Sequence, residues 1–274
     1  MFECKIVVCA ALLAATGAGH LSAQAQPEAP AKAAENCAEL PELAAKMEGQ
    51  RKTLEDWPNL ARYREANASL AGAAKDERRV VFMGDSITDM WALPRFGGFF
   101  PGKPYVDRGI SGQTTPQMLV RFREDVILLE PQVVVILAGT NDLAGNTGPI
   151  RMEETEGNLA SMAELARGNG IRVVLASLLP VSNYGQDANG NQLDMRTRRP
   201  GEKILELNAW IKKYAEEKGH TYLDYFSTTV DDHGLLKKDL SEDGLHPNAA
   251  GYAVMAPLAE KAIMAALETK RKTR

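Results

Sequence analysis

The stretch Val80-Val81-Phe82-Met83-Gly84-Asp85-Ser86-Ile87-Thr88 decides the fold. A short apolar run meets a glycine, an acid and a serine, and helix-compatible residues follow. Such a run stopping at glycine reads as a buried strand ending in a turn. In open parallel sheets, ligands bind outside the carboxyl ends of strands. Ser86 therefore stands where a nucleophile is wanted.

Outward from this stretch the chain alternates between strand and helix patterns. Tyr105 to Gly109 reads as a second strand. Thr115-Pro116 opens a helix, with threonine as cap and proline at the first helical position. Val133 to Ala138 is a β-branched run buried on both faces and ends at Gly139. A helix over Arg151–Arg167 stops at Gly168-Asn169-Gly170, and Ile171–Leu175 is the next strand. A helix over Glu202–Lys218, a strand over Thr221–Tyr225 and a helix over Asn248–Glu268 complete the pattern. Alternation of this kind predicts an α/β fold, a parallel sheet with helices on both faces. Pro180 to Arg199 is the one long irregular segment, expected to overhang the same face as Ser86.

The 274 residues suit one α/β domain plus an extension. Residues 1–25 read as a signal peptide: Ile6–Ala15 is too short to span a bilayer, and Ala23-Gln24-Ala25 fits a cleavage site. Export to the periplasm or beyond is expected, with no membrane-spanning segment in the mature chain. Residues 26–37 read as a disordered leader. Residues 38–78 read as an N-terminal helical arm packed on the core, with Leu40, Leu43, Ala44 and Met47 at helical spacing and a break at Trp57-Pro58. Asn59 to Tyr63 begins its second short helix. The α/β body spans 79–268, and 269–274 is a solvated basic tail. After cleavage Cys37 is the sole cysteine, so no intramolecular disulfide forms. A net charge of -4 gives no basic footprint for nucleic acid.

Four polar stretches fall at predicted strand ends: Gly84-Asp85-Ser86, the Gly109 turn, Gly139-Thr140-Asn141-Asp142, and Asp243-Gly244-Leu245-His246-Pro247-Asn248. A serine hydroxyl is a weak nucleophile and needs an adjacent base. Among four histidines, His246 stands between a short acid motif and a proline-initiated helix and is the best base candidate. Asp243, three residues earlier, can reach its imidazole across a turn and hold the tautomer. A metal held by Asp243 and His246 is disfavoured for want of a further histidine or cysteine ligand. Asp85 and Asp142 read as anchors for their loops, and Asp89 as a cap or turn residue. Trp91 could wall a pocket beside the serine or belong to the core, and Tyr184 could meet a substrate. The serine lacks the G-x-S-x-G elbow of α/β-hydrolases.

These four blocks resemble the SGNH hydrolases, the GDSL-type esterase and acylhydrolase family, and within it the platelet-activating-factor acetylhydrolase-like bacterial branch. The matching runs are GDSIT, RGISGQTT, GTND and DGLHPN, in family order, over roughly Arg79 to Leu267. The resemblance implies a flavodoxin-like three-layer α/β/α sandwich with a mostly five-stranded parallel sheet. It implies Ser86, His246 and Asp243 as the catalytic residues. It assigns the oxyanion donors to the Ser86 and Gly109 backbone N–H groups and the Asn141 amide. It brings no metal or organic cofactor. The expected activity is hydrolysis of short acyl esters of small molecules or glycans, O-acetyl groups first. The rival readings are a lysophospholipase or thioesterase for longer chains, an acyl transferase, and an inactive binding module of the same fold.

Overall fold

The computed structural model describes residues 31–70 and 77–268. The expected signal peptide, residues 26–30 of the leader, residues 71–76 of the arm and the basic tail lie outside the described residues. Helix α1 covers Ala31–Glu55. It therefore starts inside the stretch expected to be a disordered leader, where Ala31, Ala33 and Ala34 favour helix. Residues 31–51 form a unit by themselves, and from Pro41 to Arg51 every residue of that helix is exposed. Leu43 and Met47, at helical spacing, are 53% and 62% exposed.

The second unit, from Lys52 onward, carries the sheet. Strands β1 (Val80–Gly84), β2 (Tyr105–Gly109), β3 (Val133–Leu137), β4 (Arg172–Ala176) and β5 (Thr221–Leu223) pair in parallel, in the order β2-β1-β3-β4-β5. This is the flavodoxin-like order. Val80–Gly84 and Val133–Leu137 are buried throughout, as central strands covered on both faces should be. The register sets Gly84 beside Gly109 on one side and Leu137 on the other.

The helices in chain order are α2 (Arg64–Ser69), α3 (Ser86–Asp89), α4 (Thr115–Asp125), α5 (Thr140–Leu143), α6 (Met152–Gly168), α7 (Gly201–Lys218), α8 (Phe226–Thr229) and α9 (Ala249–Glu268). Helices α4, α6 and α7 pack side by side as one layer, and α9 lies on β3, β4 and β5 as another. Thr114 caps α4 and Pro116 sits in its first turn. Thr115, expected to be the cap, is already helical.

Residues 56–69 run along the free edge of β2. The Asp56 carboxylate accepts the N–H groups of Leu60 and Ala61 at 2.7 and 2.9 Å, which holds a turn. The second short helix therefore begins at Arg64 instead of Asn59. Gln117 and Gln113 donate their side-chain amides to the Trp57 and Pro58 carbonyls, both at 2.7 Å. The Tyr63 hydroxyl donates to the Gly109 carbonyl. Asn67 accepts from Arg108 and donates to Asp125, each at 2.8 Å. This part of the arm is a strap that covers the edge strand, whose unpaired backbone groups would otherwise lie open.

Candidate active site

Ser86 opens α3 directly after β1, and its exposure is 8%. The preceding Asp85 caps the helix, accepting the Ile87 N–H at 2.9 Å. The Ser86 N–H belongs to the first turn of a helix, where no intrahelical acceptor exists, so it is free to meet a substrate oxygen. His246 Nε2 lies 2.9 Å from Ser86 Oγ, and His246 Nδ1 lies 2.6 Å from Asp243 Oδ2. The other Asp243 oxygen accepts the N–H groups of Leu245 and His246 at 2.9 and 2.8 Å. Burial alone would raise the Asp243 carboxyl. The hydrogen bonds from the His246 ring and backbone outweigh it and hold the group well below the ordinary carboxylate range. An anionic Asp243 fixes the imidazole with Nδ1 protonated and Nε2 free to take the serine proton.

The loop carrying this acid is locked by close backbone approaches. Gly244 has φ +83°, and a Cβ there would lie 2.2 Å from the Ser182 carbonyl oxygen. Ser182 in turn donates its N–H to the Gly244 carbonyl at 2.8 Å. Gly185 packs against Asp243, where a Cβ would meet its backbone at 2.5 Å. The long 180–199 segment thus overhangs the acid and base.

Asn141 stands in the first turn of α5 and is 3% exposed. Its Nδ2 donates to the Gln113 carbonyl at 3.0 Å, and its Oδ1 accepts from Arg199 Nη2 at 3.2 Å. The neighbouring Asp142 is an anchor, as its loop position suggested. Its carboxylate accepts the Thr115 N–H and hydroxyl at the start of α4. Burial raises its carboxyl, and it does the same to Asp85, to about 6. Asp89 likewise ties loops together: it accepts the Ser111 N–H at 3.1 Å and the Ser111 hydroxyl at 2.6 Å.

One expectation needs correction. Gly109 does not offer its N–H to the site. In the parallel ladder the Ile110 N–H bonds the Gly84 carbonyl, so the Gly109 N–H and carbonyl point the other way, off the free edge of β2. There the N–H donates to Asp107 Oδ1 at 2.6 Å. What Gly109 does supply is proximity: a Cβ would sit 2.1 Å from the Asp89 nitrogen, so β2 can lie against α3 only without one. In the same block, Gly112 precedes Gln113, whose carbonyl meets Asn141. Gly112 is exposed in a left-handed turn at φ +81°, and its carbonyl accepts from Asn146 at 3.1 Å.

Trp91 is no pocket wall. It is 4% exposed and stacks on Tyr252, with ring centroids 4.8 Å apart, within a cluster that includes Phe82, Phe99 and Phe100. The Tyr184 hydroxyl donates to Asp231 at 2.9 Å. Gln113 and Arg199 were missed. Glutamine in a loop and arginine at a loop's end carry no chemical signal in one sequence. Among the described residues no three histidine, cysteine or acidic side chains group as metal ligands would.

Residues 82–254 match the model of the GDSL-like lipase/acylhydrolase family. The chain is similar in structure to a GDSL-like lipase from Bacteroides thetaiotaomicron, with 43% identity and a TM-score of 0.69 over 76% of this chain and 98% of that one. It is also similar to a Streptococcus pneumoniae protein named for platelet activating factor, at 25% identity and a TM-score of 0.64, covering 81% and 99% of the two chains. A sequence relative, an acetylxylan esterase of Geobacillus stearothermophilus, is 25% identical over 211 residues, 65% of this chain and 90% of the relative.

Proposed function

The chain belongs to the GDSL-like lipase/acylhydrolase family and is a carboxylic ester hydrolase, and on that premise we propose an exported serine esterase that removes short acyl groups, O-acetyl groups first, from carbohydrate or glycoconjugate. The observation that carries this reading is the unbroken chain from Ser86 Oγ through His246 to Asp243. In the reaction, His246 Nε2 takes the hydroxyl proton as Ser86 Oγ attacks the ester carbonyl. Negative charge develops on the carbonyl oxygen. The Ser86 N–H, the Gly112 N–H and the Asn141 amide receive it, without reorganisation at the moment of reaction. The imidazolium returns its proton to the leaving alcohol, and water then releases the acyl group by the same steps in reverse.

Two observations support a small acyl group on a hydroxylated leaving group. Trp91 and its aromatic neighbours pack on one another, leaving no apolar wall beside the serine from that quarter. Polar groups border the Gly112 loop: Asn146 is hydrogen-bonded to both Gly112 and Arg198, and Thr147 meets Thr114 at 3.0 Å. The acetylxylan esterase relative agrees with this preference. Export rests on the Met1–Ala25 pattern.

Hydrolysis of p-nitrophenyl acetate and p-nitrophenyl octanoate by wild type and Ser86→Ala tests the reading, followed by acetate release from acetylated xylo-oligosaccharides. The acetate ester is expected to be cleaved faster, with a loss of about 10⁴-fold or more in Ser86→Ala. Preference for octanoate would overturn the substrate assignment. Equal activity in the two proteins would remove Ser86 from the chemistry.

A further inference from the structure

Arg199 is 5% exposed, and no carboxylate accepts from its guanidinium among the described residues. Burying a cation without an ion pair is unfavourable, and here burial does push the guanidinium's proton affinity down. Its contacts are few and specific. Nε donates to the Thr140 carbonyl and Nη2 to Asn141 Oδ1, both at 3.2 Å. Thr140 and Asn141 are the first two residues of α5, so the planar fork of one arginine grips both the backbone and the side chain of that turn.

A guanidinium can only donate. The Asn141 group facing it must therefore be the oxygen, which leaves the NH₂ directed away. One of its two hydrogens goes to the Gln113 carbonyl, and the second is left for a ligand. Gln113 cannot yield easily. It is 3% exposed, its amide donates to Pro58, and its Oε1 accepts from the buried Arg121 at 2.5 Å. Asn141 is thus held from both sides. A positive group on its Oδ1 also polarises the amide and strengthens the remaining N–H as a donor.

We propose that Arg199 is a positioning residue of the esterase, holding the Asn141 amide with its nitrogen toward the developing oxyanion and lending that amide positive charge. The proposal rests on the serine esterase reading. It distinguishes two neighbouring arginines: Arg198 reaches outward to the Ala144 carbonyl and Asn146, whereas Arg199 reaches inward to the donor itself.

The test is a double-mutant cycle on p-nitrophenyl acetate hydrolysis with Asn141→Ala, Arg199→Met and the pair. Asn141→Ala should lower kcat about 100- to 1000-fold, as loss of an oxyanion donor does. Arg199→Met should lower kcat about 10- to 100-fold with little change in KM, less than loss of the donor itself. The pair should be no slower than Asn141→Ala alone. Millimolar guanidinium should restore part of the activity of Arg199→Ala and none of the activity of Arg199→Ala with Asn141→Ala. If the two single effects multiply, or if Arg199→Met melts earlier but keeps its kcat per folded molecule, the positioning role is overturned. Should Arg199→Met fail to fold, Arg199→Lys decides. Lysine keeps the charge but cannot span both acceptors, so kcat should fall, and an unchanged kcat would overturn the proposal. A wild type that neither cleaves the ester nor is labelled at Ser86 by a fluorophosphonate would overturn the esterase reading, and the proposal with it.

Discussion

The ends of β1 and β2 lie side by side and use the same local device for different purposes. In each, an aspartate Oδ1 accepts the backbone N–H two residues on: Asp85 from Ile87 at 2.9 Å, and Asp107 from Gly109 at 2.6 Å. In each, the second carboxylate oxygen is buried with no hydrogen-bond partner. The residue enclosed by the turn is Ser86 in one case and Arg108 in the other. The difference comes from place in the sheet. β1 has neighbours on both sides, so the chain leaving it turns into α3 above the sheet. β2 is an edge, so its alternate backbone groups turn outward, where the Gly109 carbonyl meets Tyr63 of the strap and the Gly109 N–H meets Asp107. One end is built to react and its neighbour is built to hold.

That contrast can be broken by crowding the two glycines. A Cβ at Gly109 would meet backbone, with Asp89 N at 2.1 Å and Thr88 C at 2.7 Å, and neither can rotate away. A Cβ at Gly84 would meet mainly the Thr88 side chain, at 2.0 Å from Oγ1, which can move in part. Gly109→Ala is therefore expected to cost about 3 kcal/mol, the upper end for overpacking, and Gly84→Ala less, by urea unfolding. Equal costs would mean that the end of β2 is not wedged against α3.

A smaller effect sharpens the comparison through pH. Burial raises the Asp107 carboxyl to about 7 and the Asp85 carboxyl to about 6, against roughly 3.9 in an unfolded chain. Between those values the folded protein holds the extra proton. Each group therefore takes stability away as pH rises from about 4 through its folded pKa, and takes no more above it. Asp107→Asn should gain on wild type steadily between pH 4 and 7, read from urea midpoints. For Asp85→Asn the gain should level off near pH 6. A difference that does not change with pH would show that Asp107 stays ionised in its turn.

Much of this site was legible because its chemistry is local. Asp243 and His246 lie three residues apart on one turn, and Ser86 follows directly on an apolar run. Their spacing alone brings the parts within reach, and the structure needs only to set the two loops together. Gly109 could not be read in the same way. Sequence gives a strand but not which strand is the edge, and the edge decides where an N–H points. Trp91 was ambiguous because an apolar residue beside a motif serves core or pocket equally well. Arg199 was invisible because its importance lies in contacts made across 58 and 59 residues of chain.

The strap over β2 bears on where the molecule can be cut. A fragment begun at Glu77 would keep every strand and all three residues of the Ser86–His246–Asp243 chain, yet it would strip the edge strand of Tyr63 at the Gly109 carbonyl and of Asn67 at Arg108. Such an edge is a template for another copy, and the fragment should elute from a sizing column as larger species that the full chain does not form. A fragment eluting as the full chain does would show that the edge protects itself. Residues 56–69 are in this sense a hem, sewn along the one border of the sheet nearest the nucleophile.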